Sequence, residues 1–179
     1  MNVERQVGTQ RVFNGNIIGL RLDTIELPSG RQATREVVEH QGAVVVLPID
    51  MDENVLLVRQ YRYPVKEMVL EAPAGGIELG ELPEHAAVRE LGEEVGVYPK
   101  TIEQVGHFWS SPGFCTEVLY AFVARDLVPS QLVPDEDEVI EIEKHPVSNL
   151  RAMIRSGDIQ DAKTISVIQM AEILSLIHI

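Results

Sequence analysis

Residues 75–97, GGIELGELPEHAAVRELGEEVGV, constrain the fold more than any other stretch of the chain. Gly75 and Gly76 permit a tight loop, Pro83 falls where a first helical turn tolerates a missing N–H, and Gly96 stands where a helix would end. At about 100° per residue, Ala87, Val88, Leu91 and Val95 share one arc of the intervening helix, and that apolar stripe must pack on something. Glu90, Glu93 and Glu94 share a neighbouring arc. Like charges three and four residues apart weaken a helix, so the cluster calls for compensation. Two readings fit: a solvated acidic face, or a divalent cation held at the edge of a core.

The 179 residues suit a single domain with a sizeable core, and 45% hydrophobic with 24% charged residues is the balance of an ordinary globular protein. A net charge of −13 leaves no basic stripe to displace counterions from phosphates, which disfavours nucleic acid and anionic membrane surfaces as partners. No apolar run approaches the roughly 20 residues that span a bilayer. The opening MNVERQVGTQ lacks the apolar stretch of a signal peptide. Cys115 is the sole cysteine, so no internal disulfide forms and the cytoplasm is the expected compartment. Its thiol reads as a small packing group rather than a nucleophile.

The fold class predicted is α+β. Val12–Phe13 and Ile17–Leu27 read as a hairpin around Asn14-Gly15-Asn16, followed by a strand over Thr34–His40. Ala43–Ile49 is a continuous apolar run suited to a strand buried on both faces. Val55–Tyr61, Glu67–Glu71, Ile102–Ser110, Thr116–Ala124 and Val139–His145 read as further strands, and Pro146–Arg155 and Ala162–Ile177 as helices. None of the five histidines has a partner at metal-ligand spacing.

Gly75, Glu81, Arg89-Glu90-Leu91 and Glu93-Glu94-Val95-Gly96-Val97 reproduce the pattern G-x5-E-x7-R-E-U-x-E-E-x-G-U, where U is apolar. This resembles the Nudix box of Nudix hydrolases at every defined position. Flanking segments narrow the likeness. They are Arg59-Gln60-Tyr61-Arg62, Leu70-Glu71-Ala72-Pro73-Ala74-Gly75, Ser111-Pro112-Gly113, Pro134-Asp135-Glu136-Asp137-Glu138 and Asp161-Ala162-Lys163-Thr164. Together they look like the ADP-ribose pyrophosphatase subfamily, with Ala72 standing where members often carry a bulkier apolar residue. The resemblance implies an α/β/α sandwich with a mixed central sheet over residues 41–179. It also implies an N-terminal antiparallel strand region over residues 1–40 that contributes to a homodimer.

It further implies site roles. Glu90 and Glu94 match the main metal ligands, with Glu93 supporting them and the Ala74 carbonyl as another ligand position. Arg89 orients the glutamates, and Glu81 matches a structural partner. Glu136 and Glu138 match the positions of a catalytic base and an extra metal ligand, without distinguishing which is the base. Arg62 matches a contact to phosphates or terminal ribose. Arg59 reads equally as a substrate contact or a solvent-facing strand residue, while Pro112, Gly113 and Glu117 shape the site. Trp109 and Phe114 are expected in core packing in preference to the alternative of stacking on adenine. Mg²⁺ or Mn²⁺ is the implied cofactor, because hard cations take carboxylate and carbonyl oxygens. The implied reaction converts ADP-ribose to AMP and ribose 5-phosphate. Two alternatives stand beside it: another nucleoside diphosphate derivative as substrate (GDP-sugar, UDP-sugar, FAD or dinucleotide), or a sensor that binds nucleotide without cleaving it.

Overall fold

The computed structural model describes residues 3–130 and 140–178. The chain forms two compact units: residues up to Gly42 together with Trp109–Val118, and Ala43–Phe108 together with the chain from Leu119 onward.

In the first unit, β1 (Arg5–Asn14), β2 (Gly19–Glu26) and β3 (Gln32–Glu39) form an antiparallel sheet in the order β1-β2-β3. The first strand is far longer than the Val12–Phe13 expected from the sequence. Every residue of β1 is exposed, so it has no buried face to impose an alternating pattern, and backbone pairing from Arg5↔Glu26 to Asn14↔Gly19 defines it. The hairpin turn closes where expected, with the Gly15 N–H donating to the Ile18 carbonyl at 2.9 Å. Trp109–Val118 joins this unit through β3. The Val38 N–H donates to the Phe114 carbonyl at 2.7 Å, and the Thr116 N–H donates to the Val38 carbonyl at 2.9 Å. Pairing across so large a sequence separation leaves no local signal. Trp109 and Phe114 are 59% and 57% exposed, which corrects the expectation of core packing. Phe114 sits in a tight turn that closes on the Ser111 carbonyl and offers its ring no pleated face to cover it.

The second unit contains β4 (Ala43–Pro48), β5 (Asn54–Arg62), β6 (Glu67–Glu71), β7 (Ala74–Gly76), α1 (Pro83–Glu90), β8 (Val97–Trp109), β9 (Val118–Pro129), β10 (Glu141–Pro146), α2 (Leu150–Ser156) and α3 (Ala162–Ile173). A mixed sheet runs β7-β4-β9-β8, with β4 parallel to β9 and antiparallel to β7. A second, antiparallel sheet runs β10-β5-β6. The apolar run of β4 is buried from end to end because helices cover both its faces. Val45, Leu47 and Ile49 pack with Val167, Ile168 and Ala171 of α3, whereas Val44 and Val46 pack with Ala86, Ala87 and Leu91. This is the expected α+β sandwich. Among the described residues no helix is long and apolar enough to cross a membrane.

Several boundaries move. Pro146 ends β10 rather than opening a helix, and a 3-10 turn over Val147–Asn149 leads into α2. Of the expected strand Val139–His145, Val139 lies outside the described residues. The last helix stops at Ile173, four residues short of the expected Ile177, as Ser175 turns to φ 60°. The chain then folds back, with the Leu176 N–H on the Ala171 carbonyl and Arg125 donating to the Leu176 carbonyl, each at 2.9 Å. That return drives Ile177 into the core, where it is 2% exposed. Ile177→Ala is therefore expected to cost about 2–5 kcal/mol, measured as a shift in the urea unfolding midpoint at unchanged m-value.

Candidate active site

The short strand β7 carries Ala74, Gly75 and Gly76 past the helix that bears the acidic residues. That helix is α-helical only to Glu90. Leu91–Val95 continues it as a single π-helical turn, closed by the Gly96 N–H on the Leu91 carbonyl, with Gly96 at φ 69° and ψ 28°. Such widened turns recur at functional sites because they rotate side chains out of α register. The buried arc differs from the expected one at one position: Ala86 is fully buried with Ala87, Leu91 and Val95, while Val88 is only half-buried.

The wider turn leaves Glu90 and Glu94 9% and 8% exposed, with Glu93 half-buried beside them. These three line a cavity of about 380 Å³ with Ala74, Gly75, Arg89 and Ile140. Arg89 organises its wall. Its Nε and one Nη2 N–H grip the two Glu81 oxygens at 3.0 Å each, and Nη1 reaches Glu90 at 2.7 Å and Glu93 at 2.9 Å. The remaining Nη2 N–H bonds the Gly76 carbonyl at 2.9 Å. All five guanidinium donors are thereby committed, which lysine, with three, could not match. Bonding to Glu81 above all, reinforced by Glu90 and Glu93, pushes the Arg89 pKa further above its already high ordinary value. The same contact holds the Glu81 carboxyl below the usual carboxylate range, helped by the Glu78 N–H at 2.9 Å.

Glu94 accepts the Ala74 N–H at 2.9 Å. Glu90 lies directly over Gly75: a Cβ at that residue would stand 2.0 Å from the Glu90 Cδ and within 2.2 Å of both its oxygens. Glycine is required here for clearance. Arg89 thus bonds three carboxylates (Glu81, Glu90 and Glu93), and Glu94 lines the same cavity as Glu90 and Glu93. The donor set is all hard oxygen, which fits a divalent cation. Among the described residues no three carboxylate, imidazole or thiolate groups already converge on one point. Arg89 holds Glu90 and Glu93 on one side, while the Ala74 N–H holds Glu94 on another.

Glu136 and Glu138 lie outside the described residues. Arg59 is ion-paired with Glu143, which also meets His145 at 2.9 Å, so it is neither a bare surface residue nor an uncommitted ligand. Pro112 and Gly113 belong to the turn of the first unit, and Glu117 stands there 3.6 Å from the His40 Nδ1. Arg62 grips Glu71 with Nε at 2.7 Å and Nη2 at 2.8 Å.

Glu71 is a charged group that sequence reasoning left without a role. It is 2% exposed and paired with both Arg62 and Lys163. Burial works against its charge, but the Arg62 hydrogen bonds and the Lys163 charge outweigh it and hold its pKa below the ordinary 4.5. A depressed carboxyl adds stability that is complete above the unfolded value and lost as pH falls through the folded one. The stability difference between wild type and Glu71→Gln is thus expected to be constant from pH 7 to about 4.5 and to shrink below it. Urea midpoints of both proteins between pH 7 and 3 check this; a gap that is flat with pH would refute the pairing.

Residues 39–166 match the NUDIX domain. The chain belongs to the Nudix hydrolase family. Residues 4–38 of this Nudix protein match the nucleoside diphosphate sugar hydrolase N-terminal domain. It is 35% identical to the ADP-ribose pyrophosphatase of Bacillus subtilis (strain 168) over 172 residues, 95% of this chain and 93% of that relative. It is 34% identical, with the same coverage, to the methanol dehydrogenase activator of Bacillus methanolicus. It is also 35% identical to the GDP-mannose pyrophosphatase of Yersinia pestis (strain Pestoides F), over 79% of this chain and 76% of the other. The fold resembles a crystal structure of an ADP compounds hydrolase, with TM-score 0.86 at 23% identity, covering 96% and 93% of the two chains.

Proposed function

We propose that this Nudix hydrolase cleaves the pyrophosphate bond of ADP-ribose, yielding AMP and ribose 5-phosphate, with Mg²⁺ as its metal and Mn²⁺ as a substitute. One observation carries the reading: the buried Glu90 and Glu94 beside Glu93 around one cavity, over a glycine with no room for a side chain. Likeness to an ADP-ribose pyrophosphatase across nearly the full length of both chains supports the substrate.

Glu90 and Glu94 hold the cation, with Glu93 and the Ala74 carbonyl as further oxygen donors. A cation held there would supply neutralisation of diphosphate charge and a lowered pKa for an attacking water. Arg89 keeps the carboxylates aimed through its fixed fork, and Gly75 lets Glu90 approach the backbone. Arg62 binds substrate oxygen. Proton removal from the attacking water falls to Glu136 or Glu138. Pro112, Gly113 and Glu117 shape the substrate site in this reading, and Arg59 has a structural role through Glu143.

The test is AMP release from ADP-ribose with Mg²⁺, run beside GDP-mannose, UDP-glucose and FAD. The highest kcat/KM with ADP-ribose is expected. A preference for GDP-mannose would transfer the reading to the chemistry named for the Yersinia relative; binding without product would make the protein a sensor.

We further propose a homodimer acting in the cytoplasm. Supporting this is β1, an edge strand exposed along its whole length, with Val7, Val12 and Phe13 at the surface. A lone cysteine fits a reducing compartment. Light scattering that shows a stable monomer at micromolar concentration would remove the dimer.

A further inference from the structure

The segment Asp161-Ala162-Lys163-Thr164 opens α3, far along the chain from the acidic helix, and the chemistry above gives it no task. Asp161 caps the helix, accepting the Thr164 N–H at 2.9 Å and the Thr164 hydroxyl at 2.6 Å. The Thr164 Oγ1 in turn accepts the Ala72 N–H at 2.8 Å, which ties the first turn of α3 to the residue after Glu71. Lys163 Nζ bonds Glu71 Oε2, the oxygen that Arg62 Nη2 also reaches, and lies 3.0 Å from Asp161 Oδ1.

Glu71 holds Arg62 along the edge formed by Nε and Nη2. Arg62 lines a cavity of about 700 Å³ together with Val69, Gln160 and Lys163. Glu71 can hold that fork only while charged, and at 2% exposure one guanidinium is a meagre partner for a buried carboxylate. The second cation makes the arrangement stable.

We infer that Lys163 is a positioning residue: by neutralising Glu71 it fixes the angle of Arg62, whose guanidinium takes an anionic oxygen of the nucleoside diphosphate substrate. This deepens the proposed function and rests on its assignment of Arg62. Lys163 acts through Glu71 and touches neither metal nor reacting phosphorus. Its loss is felt in substrate binding rather than in the chemical step.

A double-mutant cycle tests it, with Lys163→Met, Arg62→Lys and the double variant. Two quantities are measured: KM and kcat for ADP-ribose with Mg²⁺, and the Kd for ADP-ribose by calorimetry in EDTA. Lys163→Met is expected to raise KM and Kd about tenfold with kcat within about threefold of wild type, and Lys163→Arg to recover most of the loss. The double variant should bind no worse than Arg62→Lys alone. Multiplication of the two effects, an unchanged Kd in Lys163→Met, or a fall in kcat that matches the rise in KM would overturn the inference. Wild-type turnover reports separately on the proposed reaction, because the Kd ratios stand even if ADP-ribose is bound and not cleaved.

Discussion

Glu94→Gln is expected to lower kcat for ADP-ribose by roughly 10²–10³-fold at saturating Mg²⁺. The substitution changes almost nothing but charge. A glutamine amide oxygen can accept the Ala74 N–H that Glu94 now accepts at 2.9 Å, and the side-chain volume is conserved. Folding should survive and even benefit. Glu94 is 8% exposed and lines one cavity with Glu90 and Glu93, so removing one anion relieves repulsion among neighbouring carboxylates. In EDTA the thermal midpoint should stay level or rise, whereas the stabilisation that added Mg²⁺ confers on wild type should largely vanish. These opposite signs separate a ligand from a structural glutamate. Near-normal turnover at saturating metal would sink the site assignment.

Gly75→Ala should be almost as damaging to turnover, about 10²-fold or more, although it adds one methyl group and no charge. The added carbon would stand about 2 Å from the Glu90 carboxylate, far inside any real contact, so either Glu90 or β7 must move. Gly75 is not among the positive-φ glycines, so alanine suits its backbone and the effect is purely steric. The stability cost is about 1–3 kcal/mol, as for other overpacked sites. Gly76→Ala supplies the control, since a Cβ at that position meets nothing within 4 Å. Its activity and urea midpoint should stay close to wild type. Equal tolerance at both positions would mean that Glu90 does not rest on the strand.

What could be read from the chain was local or repetitive. Ala43–Ile49 announced a strand buried on both faces because a continuous apolar run has few other uses, and the structure covers the strand Ala43–Pro48 with α1 on one side and α3 on the other. The spacing of Glu81, Arg89, Glu90, Glu93 and Glu94 was visible because one helix and its preceding loop carry them all. Gly96 was legible as a terminator for the same reason, and it takes the left-handed conformation that glycine adopts without strain. The π turn was not legible, since a wheel assumes one pitch and Leu91–Val95 departs from it. Nor was β1, whose exposed residues encode no pattern.

By itself, then, the sequence determined the buried strand, the glycine loop and the acidic helix, because each is specified by residues within a few turns of one another. Tertiary structure alone decided that Gly75 lies beneath Glu90, that Ile177 returns to the core, and that Lys163 reaches Glu71 to hold Arg62. Those contacts join residues 9 to 92 positions apart or follow a reversal of the chain after its last helix. Only packing of separate elements brings such groups together, and no propensity or period along the chain encodes it.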